Sequence, residues 1–93
     1  MPEQNNPMSN SQTLVVNKPD FDYVTIEQHD GNASVVKFQL MNPSIMSGDV
    51  LVVLDGTDVI FHGLIGRVED GWATAADRNG SSLDVTFPSE IDI

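Results

Sequence analysis

Four Asp-Gly or Asn-Gly pairs punctuate this chain, at Asp30-Gly31, Asp55-Gly56, Asp70-Gly71 and Asn79-Gly80. Each pair has a run of β-branched or aromatic residues on at least one side. A two-residue type I′ turn needs positive φ at both central positions, which Gly adopts freely and Asp or Asn tolerate. The pairs therefore predict an all-β fold built from sequential hairpins, a small antiparallel β-barrel or sandwich of about six to seven strands.

The pattern of β-prone runs, some of which alternate between apolar and polar residues, places the strands between these turns. It predicts strands over residues 13–16, 23–28, 34–41, 50–54, 59–68, 72–76 and 83–87. In the second of these, Val24 and Ile26 form the apolar face. The run 50–54 is apolar on both faces, so we expect it inside the sheet or covered on its outer face.

Two local features interrupt the strand pattern. Gly63 and Gly66 lie inside a predicted strand, where glycine indicates a bulge, a bend or the close approach of another backbone. Pro43 breaks the pattern between two strands, and residues 43–46 are the best place for a short helical turn. No long amphipathic helix is predicted.

The chain has 93 residues, which suits one small domain. Residues 1–12 carry Asn and Pro but no Lys or Arg, so we expect a disordered N-terminal arm rather than a signal peptide, followed by a single β domain over residues 13–93. The absence of cysteine excludes disulfides and thiolate metal sites. No apolar run approaches the roughly 18 residues of a membrane-spanning helix.

The formal charge of −10 disfavours nucleic acid as a partner. The basic residues Lys18, Lys37, Arg67 and Arg78 are scattered along the sequence, and such a field repels a polyanion. An acidic β domain suits a protein partner better, although the charge could also serve only to keep the protein in solution.

Catalytic and metal-binding patterns are sparse. His29 and His62 could act as a base or a metal ligand, but an ordinary strand histidine explains each of them. Four aspartates could supply oxygen ligands for calcium, but their spacing matches no known loop and turn positions explain them: Asp20, Asp22, Asp55 and Asp58. We therefore predict no enzyme activity, no cofactor and no metal site.

The second apolar face of residues 50–54 and the preceding loop form the candidate protein interface. Its predicted members are Met41, Ile45, Met46, Leu51 and Val53. Exposed apolar surface on a small domain marks a partner site, unless a loop or arm covers this face. A second hypothesis is a stacking platform of Tyr23 and Trp72 for a sugar or small ligand, with Trp72 as a core lid the alternative.

Five segments carry a resemblance to a known family. They are VTIEQHDG (24–31), FQL with the following Asn42-Pro43, SGDVLV (47–52), IFHGLI (60–65) and ADRNGSSL (76–83). Together they resemble the β-barrel domains of phage tail hub proteins. In those domains a Gly-Asp-x-Val-x-Val strand pairs with a strand similar to Val-Phe-x-Gly-x-Ile.

The resemblance covers residues 23–83 and implies a structural protein of the virion. Hub proteins form rings at the tail tip, so it implies other virion proteins as partners, a homo-oligomer or ring, and no catalysis, nucleic acid or membrane. This chain is far shorter than a full hub. A capsid decoration or head-completion protein is therefore an alternative of the same class, and a carbohydrate- or ligand-binding β module is one of a different class.

Overall fold

One sheet of six strands forms the body of the protein. The computed structural model describes residues 11–86. The strands are β1 (Thr13–Asn17), β2 (Tyr23–His29), β3 (Asn32–Gln39), β4 (Val50–Asp55), β5 (Asp58–Glu69) and β6 (Trp72–Ala76). The predicted all-β class is confirmed, and each of the six lies within two residues of its predicted position. None of the helices in the described part is long and apolar enough to span a membrane.

The strands lie in the order β1-β4-β5-β6-β3-β2. Four of the neighbouring pairs are antiparallel, but β1 runs parallel to β4, with Thr13 opposite Val50 and Asn17 opposite Leu54. The prediction of a purely antiparallel fold is therefore wrong for this pair. A parallel pair needs a long crossover, and the chain between β1 and β4 supplies it with the whole β2–β3 hairpin. Within the described residues the sheet is open, with β1 and β2 at its edges.

Three of the four turn pairs close hairpins. Asp30-Gly31 and Asp70-Gly71 have positive φ at both positions, as a type I′ turn requires. Gly56 has a φ of 66° and is followed by Thr57, whose φ is not positive. This arrangement fits a type II′ turn, which takes Gly at its first central position.

The fourth pair makes a turn, but no strand follows it in the described residues. The predicted strand 83–87 is therefore wrong as far as residue 86, and Phe87 lies outside the described residues. Residues 81–86, here called the C-terminal crossing, bond instead with β5, β3 and β2 in succession. These bonds join Ser82 N to Ile60 O, Ala33 N to Leu83 O and Thr25 N to Thr86 O at 2.8, 2.8 and 2.7 Å. A segment that changes partner every few residues builds no ladder.

The strand β5 is the longest and serves two neighbours. Its first half pairs with β4 and its second half with β6. Gly63 is buried near the change of partner, where an added Cβ would lie 2.4 Å from the carbonyl oxygen of Ala76. Gly66 lies in the register shift between Ile65 and Arg67. The predicted close approach and bulge are both confirmed.

The helical turn in the described residues lies at Lys18–Asp20, immediately after β1. Pro19 suits the start of such a turn because its φ is already fixed and its missing N–H is not needed there. The predicted position at residues 43–46 is wrong. That segment makes a non-helical turn, in which Asn42 Oδ1 accepts a hydrogen bond from Ser44 N at 2.9 Å.

The core lies on one face of the sheet, which we call the inner face. It is built from side chains of β3 to β6 together with Phe21, Ile45 and Leu83. In β2 the predicted orientation is reversed, because Thr25 is buried and Ile26 is exposed. The hydroxyl of Thr25 accepts a hydrogen bond from Thr86 N at 2.9 Å. The hydrogen bond lets a polar side chain face the core, so the alternation of apolar and polar residues does not reveal which face of β2 is buried.

Gln12, which the sequence analysis placed in the N-terminal arm, is bonded to the β domain. Its backbone N donates to Asp49 Oδ1 at 2.9 Å, and its side-chain amide donates to Ser44 O at 2.8 Å. Residues 1–10 of the predicted arm lie outside the described residues.

Candidate protein interface

The five residues of the predicted interface do not form one surface. Leu51, Val53 and Ile45 are buried in the core, whereas Met46 is exposed and Met41 is 86% exposed. The prediction therefore placed three core residues at an interface. Because residues 50–54 are apolar at every position, the sequence carries no alternation that distinguishes the inner from the outer face.

The apolar surface instead lies on the opposite side of the sheet, which we call the outer face. The register places Val50, Leu64, Ala76 and Val35 in one row across four strands of this face. Leu64 is 60% exposed in the middle of the row. Three further exposed apolar residues on this face are Val15, Ile26 and Trp72. A monomer that exposes this set presents a surface suited to another protein.

Two shallow grooves cross the outer face. The first is lined by Ile26, Lys37, Arg67, Trp72 and Thr74. The ammonium of Lys37 lies 5.5 Å from the centroid of the Trp72 ring, within the range of a cation–π contact. Trp72 is 42% exposed, and Glu69 and Asp70 also line this groove, so the groove combines an aromatic surface with two cations and two carboxylates.

The second groove runs beside Leu64. Its lining includes Val50, His62, Ala76 and Arg78. The fold thus brings to the outer face three of the four basic residues that are scattered in sequence. The fourth, Lys18, forms an ion pair of 2.9 Å with Asp84, and this carboxylate raises the pKa of Lys18.

Tyr23 and Trp72 lie on opposite faces of the sheet and form no common platform. The register aligns Tyr23 with Phe38 and Phe38 with Ala73, which places Tyr23 on the inner face. Its ring stacks on Phe21 at 5.0 Å, and its hydroxyl donates to the backbone oxygen of Asp84. Burial, and then the nearby Asp84 carboxylate, raise the pKa of Tyr23.

Two buried aspartates, which the sequence analysis did not single out, hold the loops in place. Asp49 accepts hydrogen bonds from the backbone N of Gln12 and of Met46, both at 2.9 Å. Asp77 accepts from the backbone N of His62 and of Asn79, both at 3.0 Å. Both belong to the motifs that carry the family resemblance. The sequence signal for Asp77 is its spacing from Asn79, which is that of an Asx turn.

The other polar candidates lie apart from one another. His29 and His62 are exposed on β2 and β5, while Asp55 and Asp58 face each other across the β4–β5 turn. Asp20 belongs to the helical turn, and Asp22 is exposed just after it. Within residues 11–86, no group of three or more His, Asp or Glu side chains is placed to hold a metal ion.

Comparison with known proteins gives no relative. No protein-family model matches the chain, and no curated protein and no solved structure matches it significantly.

Proposed function

We propose that this protein is a non-enzymatic structural component of a phage or prophage virion, acting through protein–protein contacts at the tail tip in a hub-type assembly. The observation that carries the proposal is the outer face, where Leu64 and Trp72 are exposed together with Val15 and Ile26. Burial of this surface against another protein removes apolar area from water. The acidic remainder of the chain disfavours nucleic acid as the occupant.

We further propose that the sheet curves into a small, partly open barrel, with β1 and β2 as its unpaired edges, rather than forming half of a sandwich. The C-terminal crossing supports this reading, since it bonds with β5, β3 and β2, and its Asp84 pairs with Lys18 beside β1. Leu14 of β1 and Phe38 of β3 line one groove, so the two ends of the sheet approach each other. A rigid barrel would present the outer face as a fixed surface to a neighbouring subunit.

A capsid decoration or head-completion protein would use the same surface and is the second candidate. Particle composition separates the two. We expect mass spectrometry to find the protein in particles purified after induction of the host that carries the gene, and in the tail fraction after heads and tails are separated. Recovery in the head fraction would favour decoration or completion. Expression in the host without recovery in any particle would overturn the virion proposal.

A carbohydrate- or ligand-binding module is the alternative of a different class, and it now depends on Trp72 alone. Trp72→Ala tests it with a simple readout. Under the assembly proposal, the variant folds and loses particle incorporation but shows no change in binding to glycan arrays, because the native protein binds none. A native protein that binds a glycan, with loss of binding in a folded Trp72→Ala variant, would support the module instead.

A further inference from the structure

The two edges of the sheet are protected unequally. On β2, Thr25 N donates to Thr86 O at 2.7 Å, and the hydroxyl of Thr86 donates to Tyr23 O at 2.7 Å. The same strand has register shifts on both sides of Glu27 and carries that charge. Bound backbone groups, bulges and charges are the devices by which proteins prevent the addition of another strand. The β2 edge is thus closed to a further strand.

The β1 edge has none of these devices. Val50 N donates to Gln12 O at 2.9 Å, so in this parallel pair the even-numbered residues direct their N–H and C=O groups toward β4. The backbone groups of Thr13, Val15 and Asn17 consequently face away from the sheet. Apart from the carbonyl of Asn17, which accepts the first hydrogen bond of the helical turn Lys18–Asp20, these groups have no hydrogen-bond partner among residues 11–86. The strand TLVVN is rich in β-branched residues and contains no charge.

We propose that β1 pairs antiparallel with β1 of a second copy about a two-fold axis at Val15. The pairing would place Val15 opposite its symmetry mate and Thr13 opposite Asn17, so the outward groups of one copy meet those of the other. Roughly four hydrogen bonds would form, since the Asn17 carbonyl already serves the helical turn, and the two six-stranded sheets would become one. Such a contact is isologous and closes as a dimer.

A second copy fits this edge because the outward backbone groups of β1 match those of another β1 about the two-fold axis, and no charge on β1 opposes the contact. Copies that each carry −10 repel one another, and like charges opposite each other in a sheet are destabilising. β1 is the edge strand without a charged residue, so two copies can pair there without placing carboxylates in contact. Val15 also lies beside Val52 on the outer face, and the pairing would join the apolar outer faces of the two copies. The inference stands independently of the virion assignment.

A single cysteine tests the pairing, because the native chain has none. Hydrogen-bonded antiparallel residues have Cα atoms about 5.5 Å apart, within the range for a disulfide. We expect Val15→Cys to give a disulfide-linked dimer under mild oxidation, at least about tenfold faster than Val59→Cys. Val59 is a matched control, since its exposed fraction is 59% against 54% for Val15. It lies near the start of β5, which β4 separates from the β1 edge. Equal rates for the two variants would overturn the proposal.

Hydrogen exchange of the native protein identifies the occupant. We expect protection of the Val15 amide to rise with protein concentration, in step with dimer formation measured by sedimentation. Protection that does not depend on concentration would mean that the chain covers its own edge. Exchange without protection, in a protein that sediments as a monomer at millimolar concentration, would mean that the edge stays open. Both of these results would overturn the proposal.

Two substitutions separate the edge from folding. Val15→Lys keeps the backbone donor but places two ammonium groups together at the axis, and Val15→Thr keeps the β-branched shape without charge. We expect Val15→Lys to raise the dimer dissociation constant more than tenfold, and Val15→Thr to change it less than threefold. Circular dichroism should show that both remain folded, because the side chain is exposed. A dimer that Val15→Lys leaves intact would contradict pairing at β1.

Discussion

Gly63 is the residue at which the sheet leaves least room for a side chain. Its place beside the carbonyl of Ala76 excludes even a methyl group, because an added Cβ would lie 2.4 Å from the oxygen and 2.6 Å from the carbon. Both contacts are with backbone, which cannot rotate away. The sequence did predict a special role for this glycine from its place inside a strand. It did not reveal which neighbour approaches, since Ala76 is 13 residues away in the chain.

We expect Gly63→Ala to lower the free energy of unfolding by about 1–3 kcal/mol, the usual cost of overpacking. Gly66→Ala is the matched control, because its added Cβ would lie 3.9 Å from the nearest atom, the hydroxyl oxygen of Thr74. Its effect should stay within about 1 kcal/mol of the native protein. Urea denaturation followed by the fluorescence of Trp72 measures both. Equal stability of the two variants would contradict the close approach.

Tyr23 should titrate above its ordinary pKa of 10.0, because burial and the Asp84 carboxylate favour the neutral phenol. Since the folded pKa is the higher one, the stability that this group contributes is complete below pH 10.0 and is lost as the pH rises through the raised pKa. The chain has one tyrosine, so the ultraviolet absorbance of phenolate reports this group alone.

Asp84→Asn is the control for that titration. It should lower the midpoint only in part, because burial is the larger cause and the backbone oxygen of residue 84 still accepts the hydroxyl hydrogen bond. A midpoint at or below 10.0 in the folded native protein would contradict the observed packing of the ring.

At the scale of elements, the C-terminal crossing decides whether the inner face is covered. Leu83 is wholly buried in the core, and the side chain of Ser81 donates to the backbone oxygen of Ala33. The crossing thus contributes to the core without being a strand. Its position explains how an open sheet of six strands keeps one face away from water.

We expect Leu83→Ala to destabilise the protein by roughly 2–5 kcal/mol, as for other buried leucines. Leu64→Ala removes the same atoms from an exposed position and should change stability by less than about 0.5 kcal/mol. Thermal unfolding monitored by circular dichroism compares the two. If both substitutions cost the same, Leu83 would not hold the crossing against the sheet.

The sequence predicted elements whose cause is local. The six strands follow from β-prone runs, some of which alternate between apolar and polar residues, and three hairpins follow from Asp-Gly turns whose φ requirements are met within two residues. The parallel pairing of β1 with β4 is not local, because its partners are 37 residues apart. The course of residues 81–86 likewise depends on strands β5, β3 and β2. The alternation within residues 83–87 therefore predicted a strand that does not form as far as residue 86.

The candidate site was less predictable than the strands. Residues 50–54 of β4 are all apolar, so the neighbouring strands rather than β4 itself decide which of its side chains face the core. In β2 the buried hydroxyl of Thr25 accepts a hydrogen bond from Thr86 N. Because Thr86 lies 61 residues away, the local sequence of β2 does not show that this hydroxyl has a partner. The grouping of Lys37, Arg67 and Arg78 on the outer face also arises only once the sheet has formed.

For the molecule as a whole, negative charge is in large excess, with 14 Asp and Glu residues against four Lys and Arg residues. Even the outer face, which holds three of those basic residues, carries Glu69 and Asp70 in the same groove as Lys37 and Arg67. Repulsion among those carboxylates opposes the compact state. Added salt should therefore stabilise the native fold, because it screens this repulsion. It has little attraction to screen, since Lys18–Asp84 is the one ion pair shorter than 3 Å among residues 11–86.

We expect added sodium chloride to raise the midpoint of thermal unfolding. The screening length falls from about 30 Å at 0.01 M to about 10 Å at 0.1 M, which weakens repulsion across the molecule. Measurements at a protein concentration low enough to keep the chain monomeric isolate this effect from self-association. Asp84→Asn, which removes both a carboxylate and the ion pair, should reduce the salt dependence only slightly. A midpoint that falls with added salt would mean that attractive pairs dominate.

The parallel pairing of β1 with β4 has a consequence for the order of events in folding. Strands β4, β5 and β6 follow one another through two tight turns, so they can associate with little loss of chain entropy. β1 has nothing to pair with until β4 is in place, and the C-terminal crossing needs three strands already aligned. Both ends of the described part, residues 11–86, therefore dock late, after β4, β5 and β6 have associated. Such a topology, dominated by contacts between distant residues, folds in milliseconds to seconds rather than microseconds.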